Sequence, residues 1–327
     1  MSTTPTRTRP RTATQALTLL IGLPVVIGLM LFSFLAPSLA SGPKDVPLAV
    51  AAPEPVLTQL EGRLAQAGDN APDLQVVTDE AAVTDLIHNR KAVGGLAVDP
   101  SGATVYTATG NGAPYLTLLN GIAEQMRSGG QDVTVTDLAP TSPDDPTTMG
   151  ITTLGLPLAF GGLVSAVTAT LLFRGRRWIK MGVIAGIALL SAAVVAWMMH
   201  GIYGTLTGNP WQEFLAIALG IAAISLTAAG LAGLIGLPGL GIAAVTVVFI
   251  ANPLSGLATG PWWLPAGWSI LGQWLPIGAT GHLIRSLSFF DGAGAGSSWW
   301  ILTGWVVLGA LLLTVDRSRG KSETVSA

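Results

Sequence analysis

The chain contains no cysteine, which excludes a disulfide framework, a thiol nucleophile and any Cys-based metal site. Histidine is scarce as well: His88, His200 and His282 are scattered, a poor inventory for metal chemistry. Only 10% of residues are charged, whereas 50% are apolar and the mean hydropathy is +0.59. That balance is far from a soluble globular domain. It marks a chain whose solvent is the lipid bilayer, and no nucleic-acid partner is expected. A phosphate-cradling GxxxxGK[ST] loop is also missing. The one Gly-Lys-Ser, Gly320-Lys321-Ser322, has Val315 where the first glycine belongs. The chain is therefore expected to hydrolyse no ATP by itself, and neither a catalytic residue nor a cofactor is expected.

What the chain has in quantity is long apolar runs. A helix needs roughly 20 apolar residues to cross a hydrocarbon core of about 30 Å. That ruler gives spans near 16–36, 150–173, 180–200, 212–235, 237–257 and 298–315. The fourth and fifth are parted only by the GLPG around Pro238, which fits a tight helical hairpin or one long kinked segment. Basic residues orient the set. Arg7, Arg9 and Arg11, then Arg174, Arg176, Arg177 and Lys180, then Arg317, Arg319 and Lys321 form three short clusters, which the positive-inside rule assigns to the cytoplasm. Both termini (1–15 and 317–327) are then cytoplasmic in a multi-pass protein of the plasma membrane, with 37–148 and 258–297 outside. Arg285 is the exception. The first span also has a rival reading as a signal peptide, because Ser38-Leu39-Ala40 follows a basic start, although its apolar run exceeds the usual 7–15 residues.

Residues 41–148 differ in composition: fourteen of the eighteen acidic residues lie there against five basic ones, a formal charge of about −9. Their periodicity alternates between strand and helix. Strands are predicted at 47–52, 74–78, 92–98, 103–109 and 132–138, and helices at 55–67, 80–90 and 112–128. Thr78 or Asp79 can cap the second helix, and Asp99-Pro100-Ser101-Gly102 has the chemistry of a turn. The segment 139–150, with three prolines, reads as an extended linker back to the membrane domain at 149–316. The fold class is thus an α-helical polytopic membrane protein of six transmembrane helices with an inserted extracytoplasmic α/β domain (37–148).

Self-powered carriers place ionisable groups deep in the bilayer, and the spans hold essentially none; His200, Glu213 and Asp316 fall at their predicted ends. The fourth span carries small residues four apart, Ala216 with Gly220 and Ala229 with Gly233. Such spacing lets helices approach closely, either within one subunit or at a dimer seam. The loop Arg174, Arg176, Arg177, Trp178 and Lys180 either sets topology against anionic lipid or docks an acidic partner through Trp178. Thr109-Gly110-Asn111-Gly112-Ala113-Pro114 joins a strand to a helix and reads as a structural turn. Six of ten tryptophans lie between 262 and 300. Pro265 and Pro276 cut 261–290 into helical pieces near 266–275 and 278–290, neither able to span a bilayer. On the second, His282, Arg285 and Ser286 share one face, and Leu283, Ile284 and Leu287 another, which suits an interfacial or re-entrant helix. Trp268, Trp274, His282 and Arg285 are the candidate outer gate or interface residues, forming either an aromatic belt or a lid over an exit path. Arg285 needs a partner: a headgroup phosphate, a carboxylate such as Asp291, or an exported molecule.

The layout, with VTDEAAVTDLIHNRKAVGGLAV (77–98), TATGNGAP (107–114), VTDLAPTSPDDPTTMG (135–150) and WLPIGATGHLIRSLSFFDGA (274–293), resembles the permease subunits of type 2 ATP-binding-cassette (ABC) exporters. It is most similar to the large-ectodomain branch that includes phage-infection-protein-like membrane proteins. The resemblance implies a separate cytoplasmic ATP-binding subunit, a homodimer or heterodimer of membrane subunits, and an ATPase contact on Arg174, Arg176, Arg177, Trp178 and Lys180. The expected function is outward movement of an amphiphilic substrate. The alternative is a non-transporting scaffold, surface receptor or secretion-assembly factor that works through its ectodomain.

Overall fold

The computed structural model describes residues 11–68, 71–100 and 102–315. Arg7, Arg9, Asp316, Arg317, Arg319 and Lys321 lie outside the described residues, as does the side chain of Arg11. Helix α1 (Arg11–Ala40) leads into β1 (Pro47–Ala51), α2 (Glu54–Ala67), β2 (Asp73–Val76), α3 (Glu80–His88), β3 (Gly94–Asp99), β4 (Gly102–Thr107), α4 (Ala113–Ser128) and β5 (Val133–Asp137). A helical half follows: α5 (Met149–Thr153), α6 (Gly155–Leu172), α7 (Arg177–Trp197), α8 (Pro210–Ile235), α9 (Leu237–Val245), α10 (Ala266–Trp274), α11 (Pro276–Phe289) and α12 (Gly296–Thr314).

Among the described residues five helices are long and apolar enough to cross a membrane: Ala16–Ala40, Met149–Leu172, Arg177–Ile202, Pro210–Ile235 and Gly296–Thr314. The chain is a membrane protein by that measure. The expected fifth span, 237–257, is the one that falls short. Its helix ends at Val245 and continues only as a π turn to Ala251, a rise of about 22 Å. Beyond it Asn252, Pro253 and Gly256 turn the chain. Of the two readings of the GLPG junction, the hairpin is the one observed. Gly236 has a φ of 76°, and α9 folds back so closely that a Cβ on Gly239 would sit 2.4 Å from the Leu231 carbonyl oxygen.

Helix α8 is the hub of the bundle and touches α6, α7, α9, α11 and α12. Its small residues do the work expected of them inside one subunit. A Cβ on Gly220 would meet Thr280 of α11 at 2.3 Å, and one on Gly309 of α12 would meet the Leu226–Thr227 backbone at 2.5 Å. Ala216 and Ala229 are fully buried. The stripe is thus an intramolecular seam, where small side chains let backbones pack. Replacing Gly309 by alanine forces two helix backbones apart, a loss of about 1–3 kcal/mol. The thermal midpoint should fall, whereas Gly304→Ala, facing open space inside the same helix, should not lower it, since alanine favours a helix over glycine. Equal midpoints for the two variants would refute this packing account.

The α/β domain forms a five-stranded sheet of order β2-β1-β3-β4-β5, parallel except for the antiparallel β3–β4 hairpin. The hairpin closes at the expected turn, where the Asp99 carboxylate accepts the Gly102 amide at 3.1 Å. Helices α2 and α4 cover one face through Leu57, Tyr115 and Leu119. Helix α3 covers the other through Val83 and Ile87, joined there by Phe290. Asp79 caps α3 by accepting the Ala82 amide at 2.8 Å.

The segment expected to be an extended linker is instead folded. Asp145 is buried and accepts the Met149 and Gly150 amides, each at 2.7 Å. One carboxylate thereby satisfies two free amides at the start of α5. Its negative charge also suits that helix end.

Candidate functional site

Two prolines create the central element. Pro265 precedes α10, and Pro276 opens α11 where a missing amide costs nothing. The chain between them stays extended at Leu275. The helix boundaries match those expected from the prolines, but the environment does not. Helix α11 was expected to be interfacial or re-entrant, with one polar and one apolar face. It is buried almost throughout, because both faces are occupied. One side packs on α8 and α12, and the other receives the turn Thr109–Asn111 of the α/β domain. A Cβ on Gly110 would lie 2.5 Å from the Phe289 Cβ. The run expected to be a plain strand-to-helix turn is therefore also the domain's foot on α11.

Arg90 fastens this junction. It follows α3 with a left-handed φ of 55° and is 5% exposed. Its Nη1 donates to the His282 carbonyl at 3.2 Å and to the Ser286 hydroxyl. The guanidinium carbon stands 4.9 Å from the centre of the Phe290 ring, a cation–π arrangement. Burial, and then repulsion from Arg285, lower the Arg90 pKa to about 9, so it remains charged at neutral pH. Arg285 is 1% exposed and donates from Nη2 to the Leu257 carbonyl at 3.0 Å. Asp291, one of the partners considered for it, is exposed and makes no ion pair with it. Tyr115 lies nearby, its ring edge-on to Trp263 at 5.6 Å. Burial pushes the Tyr115 phenol up, and the neighbouring Arg285 offsets part of that rise.

A second buried cluster lies at the start of α8. Glu213, expected at a membrane boundary, has no exposed surface. It accepts the Ser288 hydroxyl of α11 and pairs with His200 from the turn after α7.

The other expected site residues divide. Trp268 and Trp274 are exposed, as an aromatic belt requires, and the Trp274 carbonyl accepts the Trp305 indole N–H at 2.8 Å. Trp262 and Trp263 instead pack on the α/β core. His282 is half-buried and meets Arg90. In the loop between α6 and α7, Arg174 and Arg176 are exposed, as is Trp178 in the first turn of α7. Arg177 is half-buried, its guanidinium 5.5 Å from the centre of the Trp178 ring and donating to the Thr314 carbonyl at 3.1 Å, and Lys180 is buried. That leaves three of the five expected contact residues on the surface.

Comparison of the chain with protein-family models, with curated proteins and with solved structures gives no match in any of the three. The reading of function therefore rests on the residues themselves. Arg90 and Ser288 carried no signal in the sequence. The only hint for Arg90 was its position at the end of a capped helix, and for Ser288 its place in a run of apolar residues.

Proposed function

We propose that the chain is the membrane-spanning permease subunit of an exporter of the type 2 ABC class, powered by a separate ATPase and moving an amphiphilic substrate outward. The observation that supports this best is the placement of α11. A helix too short to cross the bilayer lies between the hub helix α8 and the α/β domain. Movement of α8 relative to its neighbours would therefore be felt at the domain junction without any further linkage. At the α6–α7 loop and the first turn of α7, Arg174, Arg176 and Trp178 offer exposed cations and an aromatic anchor, a combination enriched at protein interfaces.

The test is affinity capture of the tagged full-length chain from its native membrane. A nucleotide-binding subunit should be recovered, and Arg174→Glu with Arg176→Glu should lower its yield about tenfold, roughly 1.4 kcal/mol of binding. Recovery of membrane proteins alone would end the exporter reading.

One observation favours the receptor reading. The α/β domain has an apolar cleft of about 320 Å³ beneath α2, lined by Leu60, Leu64, Leu96 and Met126 among others. Capture of a partner through that cleft would persist after reversal of the loop charges and be lost on Leu64→Glu.

A further inference from the structure

Arg90 and Arg285 come from segments far apart in sequence, yet both are buried at the junction, where Arg90 reaches His282 and Ser286 of α11, the residues on either side of Arg285 along that helix. Arg90 Nη1 also stands 3.4 Å from Nε2 of the His282 ring. Arginine keeps its charge in proteins, and a buried cation is costly unless it is paired. Among the described residues neither arginine has a carboxylate partner: the ion pairs found join Arg127 to Glu124 and His200 to Glu213. Nor are their donors used up. Arg90 Nε and Nη2 and Arg285 Nε are buried without a hydrogen-bond acceptor.

The pattern of those donors is informative. Nε and Nη2 form one edge of the guanidinium fork, the edge that grips two oxygens of a single oxyanion. Its other terminal nitrogen, Nη1, is already engaged by α11. Arg285 follows the complementary pattern, with Nη2 held by Leu257 and Nε left over. Each arginine is thus anchored through one nitrogen, and three buried donors, Arg90 Nε and Nη2 and Arg285 Nε, are left over. Gly294, with a φ of 71°, lies against Arg90 and His282, where an added Cβ would reach only ordinary contact at 3.7 Å.

We propose that the Arg90–Arg285 pair is a binding site for a phosphate-class oxyanion at the junction of the α/β domain and α11. Three donors and two like charges suit a tetrahedral group with several oxygens. The anion neutralises the pair and bridges the two parts of the molecule. The same chemistry is available from free phosphate and from a phospholipid headgroup. The site does not depend on the exporter reading, since it would close the junction in a scaffold as well.

The experiment uses the full-length chain, delipidated in a phosphate-free maltoside detergent. Its thermal midpoint is followed during titration with inorganic phosphate, and separately with short-chain phosphatidylglycerol, against chloride at equal ionic strength. A rise with phosphate identifies a free-anion site, and a rise with the lipid alone identifies a headgroup site. Arg90→Lys and Arg285→Lys keep the charge but lose the fork, and each should raise the half-maximal concentration about tenfold. Arg90→Gln and Arg285→Gln should abolish the response. No response of the wild-type chain to either probe would overturn the proposal, as would an undiminished response in the lysine variants.

Discussion

Replacing Glu213 by alanine should cost about 2–5 kcal/mol of stability, since the Ser288 hydroxyl and the His200 ring both lose their partner, at about 1–3 kcal/mol for each buried group. The carboxylate joins three elements at once: the first turn of α8, the turn after α7 through His200, and the end of α11 through Ser288. Alanine leaves the Ser288 hydroxyl without an acceptor in a buried place and opens a gap beside it. Glutamine keeps the acceptor that Ser288 uses, so Glu213→Gln should lose much less, about 1–2 kcal/mol. Intrinsic tryptophan fluorescence during thermal unfolding in detergent would rank the variants. The account fails if alanine and glutamine unfold together with the wild type.

Substituting valine for Gly110 should pry the α/β domain from the membrane half. The foot of the domain stands on Phe289, and a Cβ would also come within 2.7 Å of that residue's Cγ. Overpacking of this kind costs about 1–3 kcal/mol, which corresponds to roughly a five- to 150-fold loss of amide protection. Hydrogen exchange followed by mass spectrometry should show that loss in the peptide covering 276–289, with β1 and β3 still protected. Gly121→Val, where an added side chain meets nothing, is the control for exchanging glycine for valine without overpacking. Unchanged protection in 276–289 would show that Gly110 does not carry the docking.

Much of this fold was legible because its signals are local. All five strands and the three longer α/β-domain helices lie within a few residues of where periodicity and turn chemistry put them. The prolines at 265 and 276 marked α10 and α11 for the same reason: a proline acts on its own turn. The misreadings share a cause of the opposite kind. Helix α11 looked interfacial because its own sequence is two-faced, and only the α/β domain, brought to it from the other half of the chain, buries the polar face. Arg90 finds its acceptors at His282 and Ser286, and Glu213 finds its donor at Ser288; neither pairing leaves a mark on the flanking residues. The helix at 237–257 is shorter than expected because hydropathy reports composition and not continuity, so a π turn before Asn252 and Pro253 is invisible to it. Asp145 was read as part of a loose linker because its neighbours are prolines, although its carboxylate caps a helix four residues on.

The placement of Phe290 has a consequence for the order in which the molecule is made. One face of the sheet is packed by α3 together with this ring from just past the end of α11. During synthesis β5 is complete long before Phe290 exists, and α6 to α11 must be produced in between. At 5–20 residues per second that interval is on the order of 10 s. For that time a nascent chain carries a nearly finished sheet with one open flank, and its last core residue arrives only after most of the membrane helices have been laid down.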